Sequence, residues 1–201
     1  MFKKLAAEAL GLSDIGVIVA AADYDKVDAD DYLFDEDGEK IFFLIKSKKD
    51  EYCFTNLGLI HVDGDSAVSS KRTIHRYDYA HARIDAVSIE TAGTIDLDIE
   101  LKFTIGETVF SIDVKKGYLE ALKDIYKALI GISHQQRKDE QARGHALHAL
   151  DALAGMYKIG DGDEVAVAKQ YNALLNNLNQ AVQVHHTQRD FSAVFERYIH
   201  N

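Results

Sequence analysis

The sequence predicts an α+β fold: about seven short antiparallel strands, closed by one amphipathic helix and followed by a helical extension. Three observations predict it. Apolar and polar residues alternate through residues 94–105 and again through 108–114, around a turn at Gly106 and Glu107, which is the period of a half-buried strand. After Lys115, Lys116 and Gly117 the period lengthens to about 3.6 residues, and Leu119, Leu122, Ile125, Tyr126, Leu129 and Ile130 fall on one helical face. Upstream, short apolar runs recur at roughly ten-residue spacing with turn residues between them, which favours a sandwich or small barrel over βαβ units.

Residues 2–10 read as a short helix ended by Gly11. Residues 16–22 are an apolar run, either a buried strand or the apolar side of a packed segment, because periodicity alone does not separate the two. An acidic stretch occupies 23–39. Residues 41–45 form a continuous apolar run of strand length, 46–50 turn, and 51–55 pair back as a hairpin. Asn56, Leu57 and Gly58 turn into a third strand at 59–62, closed by Asp63, Gly64 and Asp65. Residues 67–70 are a loop, 72–79 a fourth strand and 84–90 a fifth. Ala92 and Gly93 precede the ribbon that supplies the sixth and seventh. The chain has no proline, so its turns rely on Gly, Asn, Asp and Ser.

Beyond Ile132 the period stays helical. Ala146, Leu147, Leu150, Leu153, Ala154 and Tyr157 share a face, and Gly160, Asp161, Gly162 and Asp163 break the helix and cap the next one. Val165, Ala168, Tyr171, Leu174, Leu175, Leu178 and Val182 form a second stripe. Phe191, Val194, Phe195, Tyr198 and Ile199 form a short last one. The expected division is a β domain at 1–133 and a helical extension at 134–201. Three such helices hold too few large side chains to stand alone, so their stripes must bury against the β domain or against another subunit. Leu147, Leu150, Leu153, Tyr171, Leu174, Leu175 and Leu178 are the expected oligomer interface.

Of 201 residues, 47% are hydrophobic and 28% charged, the balance of a folded soluble chain rather than a disordered one. No apolar run approaches the ~20 residues that span a bilayer, so no transmembrane segment is expected. Met1, Phe2, Lys3 and Lys4 look like the start of a leader, but Glu8 and Asp14 interrupt the apolar stretch a leader needs; the expectation is no signal peptide and a cytoplasmic location. A single cysteine, Cys53, excludes an internal disulfide and agrees with that location. The net charge is −10, of which residues 1–116 carry −9 and residues 117–201 carry −1. An acidic first half argues against nucleic acid, whose binding requires phosphate neutralisation, and against an anionic leaflet. The near-neutral second half is suited to meeting copies of itself.

The β region resembles the bacterial pleckstrin-homology-like domain family. The resemblance is carried by Phe54-Thr55-Asn56, Leu59-Ile60, Val62-Asp63-Gly64, Ser70-Lys71-Arg72 and Arg76-Tyr77, by the run from Glu90 through Phe103, and by Phe110-Ser111-Ile112-Asp113-Val114 with the helix behind it. It covers residues 35–133, and residues 133–201 resemble the helical extension of one subgroup, which is associated with oligomerisation. The resemblance implies two bent, roughly orthogonal sheets capped by the C-terminal helix, and a ring-like homo-oligomer. It supplies no catalytic residue, no ligand and no cofactor.

Each candidate site has a plainer reading beside it. The acidic stretch is not an EF-hand: a loop starting at Asp23 needs Gly sixth and Glu twelfth, where Asp28 and Phe34 stand. Lys46, Lys48, Lys49, Lys71 and Arg72 are the candidate cations for an anionic lipid or phosphate head group, which needs several of them on one pocket; Lys48 and Lys49 sit next to neutralising Asp50 and Glu51. His145 and His148, and the adjacent His185 and His186, lack any zinc spacing, so no metal is expected. Cys53 reads as inert core. Ser69, Ser70 and Lys71 have no accompanying oxyanion-hole motif, and no G-x-S-x-G, Walker or dinucleotide loop is present. The sequence reading is therefore a non-enzymatic homo-oligomeric scaffold or interaction module without cofactors. The alternative is a module binding a peptide or an anionic head group.

Overall fold

The computed structural model describes residues 14–64, 71–91, 98–156, 164–186 and 190–199, with side chains outside the described set at 153–156 and 181–186. The expected helix at 2–10, the loop at 67–70, the start of the ribbon at 94–97 and the cap at 160–163 lie outside the described residues.

Two antiparallel sheets form the β unit. The first runs in the order β1 (Val17–Ile18), β2 (Ile41–Lys46), β3 (Glu51–Thr55), β4 (Gly58–Gly64) and β5 (Arg72–Asp78). The second runs β6 (Ile84–Thr91), β7 (Asp98–Ile105) and β8 (Thr108–Lys115). The seven expected strands are all present. The eighth, β1, is the two-residue start of the apolar run whose assignment periodicity leaves open. The sheets meet where Gly16 bridges Val114: its N–H donates to the Asp113 carbonyl at 2.7 Å, and its carbonyl accepts from Lys115 N–H at 3.0 Å. A Cβ at position 16 would lie 2.7 Å from Ile45 Cγ2 and 3.0 Å from the Asp113 oxygen, so only glycine permits this seam.

The burial pattern explains why the two sheets read so differently in sequence. β7 alternates strictly, with Ile99, Leu101, Phe103 and Ile105 facing the core and one face left to water. In β2, Phe42 to Ile45 are all buried, because both faces of the five-stranded sheet are covered. The inner face joins the main core. The outer face packs a second, smaller core of Leu44, Cys53, Ile60 and Val62 under Val19, Val27 and Ala29. The acidic stretch supplies that cover as three 3-10 turns, at Ala21–Lys26, Asp28–Tyr32 and Asp35–Asp37. Val27 and Ala29 point inward, Tyr32 and Phe34 stay exposed, and its carboxylates are exposed or half-buried except that of Glu39, which is buried.

Helix α1 (Leu119–Met156) closes the sandwich. Leu122, Ile125 and Leu129 of the expected face are fully buried, together with Ala128 and Ile132. Its residues up to Ser133 pack with the β unit. From His134 the chain forms a separate compact unit, His134–Gln188, containing the rest of α1 and helix α2 (Glu164–His186). The last helix, α3 (Ser192–Tyr198), belongs with the β unit. The expected division places it in the extension, but Phe191 and Phe195 are 1% and 0% exposed in the main core. The extension is thus an insertion between the capping helix and a docked tail. Among the described residues no helix is long and apolar enough to cross a membrane.

Candidate functional site

Helix α2 carries the strongest functional signal. It is 23 residues long, and Glu164 and Lys169 hold its only formal charges. Over residues 134–156 of α1 there are six such charges. Val167, Tyr171, Leu174 and Leu178 recur at spacings of four, three and four, the seam of a helix that packs along another helix. No residue of that seam is buried: Tyr171 is 59% exposed and Val167, Leu174 and Leu178 are half-buried, and beside the seam Val165 is 72% exposed and Leu175 half-buried. On α1, Leu147 is 50% exposed and Leu150 half-buried; the Leu153 side chain lies outside the described set. Among the described side chains from residue 134 to 180, none is buried. The seven expected interface residues are thus distributed over the two helices of the inserted unit.

The candidate cations are placed differently from one another. The β2–β3 turn is built on Ser47, whose Oγ accepts the N–H groups of Lys49 at 3.2 Å and Asp50 at 3.0 Å. Lys48 and Lys49 stand exposed at its tip. Lys46 points back to Glu51, a carboxylate with only 3% of its side chain exposed, which also accepts Ala29 N–H at 2.9 Å. A carboxylate this buried requires a cation, and Lys46 supplies it. Arg72 lies 3.6 Å from Asp28. Lys71 is exposed at the start of β5. Ser69 and Ser70 lie outside the described residues.

A cleft of about 280 Å³ opens in the β unit, lined by Phe34, Asp37, Leu57, Arg76, Asp78, Ala80, His81 and Asp190. Arg76 is its one guanidinium, and that group is committed. Its two terminal nitrogens donate to the two oxygens of Glu39, each at 3.0 Å, and its Nε donates to Asp78 at 2.7 Å. The Phe34 ring lies 4.3 Å from the same guanidinium carbon. Burial opposes ionisation of Asp190, but hydrogen bonds from Ser192 and Asn56 hold its carboxyl below the usual range. The cleft therefore presents carboxylates to solvent, the opposite of a phosphate cradle.

The remaining reactive side chains serve packing. Cys53 is fully buried, and burial pushes its thiol well up, away from the nucleophilic thiolate. His61 stacks on Tyr52 with ring centres 4.5 Å apart, and its Nε2 lies 3.4 Å from Asp50. Burial, then the charges of Asp50, Asp63 and Asp113, push the Tyr52 phenol above its ordinary range. His145 and His148 are exposed on α1, and the His185 and His186 side chains lie outside the described set. Among the described residues no group of three His, Cys, Asp or Glu could hold a metal ion.

Two features are not readable in the sequence. One is the Arg76–Glu39 pair, 37 residues apart, for which no local pattern exists. The other is the receptor for Phe191 and Phe195; the four-residue spacing marks them as a helical face without naming what the face covers.

Comparison with known proteins bears on both units. The family described as Bacterial PH domain matches residues 9–133, and that described as YvbH-like oligomerisation region matches residues 146–201. The Uncharacterized protein YvbH of Bacillus subtilis (strain 168) is 49% identical over 204 residues, covering 100% of both chains. The crystal structure of a PH domain containing bacterial protein from Exiguobacterium sibiricum 255-15 superimposes with a TM-score of 0.83 at 45% identity, over 92% of this chain and 100% of that one.

Proposed function

The chain belongs to the bacterial PH domain family and carries a YvbH-like oligomerisation region, and from that premise we propose that it is a non-enzymatic scaffold that assembles with copies of itself. The observation that carries this reading is α2: two formal charges in 23 residues, and an apolar seam with no buried side chain among those described. A helix left in water carries charge around most of its surface, whereas the core of a protein–protein interface is depleted of it. The seam spacing suits a second helix as the cover. The β unit would then be the presented module, displayed in several copies and so able to bind a weak partner with increased avidity.

The alternative of an anionic head group on the β unit draws less support. Lys46 is held by Glu51, Arg72 lies beside Asp28, and the cleft is acidic.

Sedimentation velocity on the Leu174→Glu, Leu178→Glu double variant tests the proposal. Two charges placed on the seam are expected to convert the assembly to single chains, while the β unit, whose core contains neither residue, melts as before. A native protein and a variant that both sediment as single chains would end the reading.

A further inference from the structure

The tail docks as a separable ligand. Phe191 and Phe195, four apart, are its anchors. The Phe195 ring stacks on Phe42 with centres 4.9 Å apart and planes at 13°, and Phe191 meets Tyr79 edge-on at 5.7 Å. The backbone tie is Phe191 N–H donating to the Asn56 carbonyl at 2.9 Å. Asn56 is itself fixed: its N–H donates to Lys40 O at 3.2 Å, its Oδ1 accepts Lys40 N–H at 2.8 Å, and its Nδ2 donates to Gly38 O at 3.3 Å. Gly131 of α1 completes the groove. A Cβ there would lie 2.8 Å from Val194 Cγ1 and 3.2 Å from Tyr198 Cε2, so the missing side chain is the space in which α3 sits.

Every groove residue lies between positions 42 and 131, so the receptor is complete without the tail. The tail arrives only after the inserted unit, residues 134–188. A seven-residue helix has no stability of its own, since isolated helices shorter than about 12 residues are marginal in water. It is helical because it is docked. The contacts that dock it are indifferent to which copy supplies it; the advantage of the chain's own tail is only the effective concentration set by its tether. That tether is the unit whose apolar seam holds no buried side chain among those described, and the anchor begins at Asp190, four residues beyond the end of α2. Copies that associate through α2 bring their tails together with their seams.

We infer that the groove formed by Phe42, Asn56, Tyr79 and Gly131 is an exchange site, filled in the assembled protein by the Phe191–Phe195 segment of a second copy. This rests on the self-association proposed above. Exchange locks the assembly by burying two phenylalanine rings in a neighbour's core, on top of the α2 contact.

Lys40 and Glu196 provide the test. Their side chains pair at 3.2 Å across the docked tail and are 55% and 59% exposed, so each tolerates substitution. Two full-length chains with different affinity tags, one Lys40→Cys and one Glu196→Cys, are coexpressed, purified through both tags and treated with a short bismaleimide. Buried Cys53 stays silent. The expected result is a covalent dimer of the two tagged chains, lost when Phe195→Ala is added to the Glu196→Cys copy, and a ladder of linked chains rather than an internal crosslink when the Lys40→Cys, Glu196→Cys chain is expressed alone. Mixed assemblies that survive both purifications yet give no covalent dimer, with the doubly substituted chain running as a single internally linked chain, would overturn exchange and leave the scaffold reading intact. Failure to recover any mixed assembly would overturn both.

Discussion

Replacing Phe195 by alanine is expected to lower the stability of the β unit by about 3–5 kcal/mol, the cost of deleting a fully buried aromatic ring. The residue is near the end of the chain, where substitutions ordinarily cost little. Here the ring is 0% exposed, stacked on Phe42 and 6.3 Å from Tyr79. Its removal leaves a cavity beneath a seven-residue helix with few other fastenings, so the helix is expected to undock and expose Phe42 as well. Gly131→Leu approaches the same contact from the other side: it gains helix propensity of up to about 1 kcal/mol in α1 but drives a branched side chain into Val194 and Tyr198, so the net effect is a loss. Urea unfolding followed by tyrosine fluorescence measures both. Val109→Ala, at a position 74% exposed on β8, is the control and is expected to change stability by less than about 0.5 kcal/mol. A loss of that small size for Phe195→Ala would place the tail outside the core.

Arg76→Ala is expected to cost a further 3–5 kcal/mol or so by a different mechanism, an uncompensated buried charge. The Glu39 side chain is 0% exposed. It accepts both terminal nitrogens of Arg76, the Thr55 hydroxyl at 2.5 Å and Phe34 N–H at 2.8 Å. Together these bonds tie the end of the 3-10 segment to β3 and β5. Removing the guanidinium leaves the carboxylate inside with two neutral donors and no cation. Arg76→Lys keeps the charge but not the two-pronged geometry, and is expected to recover only part of the loss. Adding Glu39→Gln to Arg76→Ala removes the orphaned charge and is expected to restore part of the stability, a non-additivity that a double-mutant cycle reads directly. Additive losses would show that the pair is not coupled.

How far the fold is legible in the residues depends on how local its causes are. Strand β7 is legible because one of its faces meets water, so Ile99, Leu101, Phe103 and Ile105 alternate with polar residues. The run Phe42 to Ile45 is legible as a strand by length, and the structure supplies the reason for its continuity in the 3-10 cover on the outer face. That cover is not legible. Three short 3-10 turns have no sustained period, and Val19, Val27 and Ala29 are spaced by turn geometry rather than by a helix or a strand. The tail is legible as an apolar face and not as part of the β unit, because amphipathic spacing states that a face needs covering without stating by what. Of the candidate site, the α2 stripe is visible in the residues. The engagement of Lys46 by Glu51 is not, because it depends on the burial of a carboxylate five residues away.

The central claim is that one copy cannot cover the seam of α2. Light scattering on the full-length chain over a broad concentration range tests it most directly. The expected mass is several times that of one chain, held on dilution into the low micromolar range. A single-chain mass at every concentration, from a chain whose helical content by circular dichroism is that of a folded protein, would contradict it.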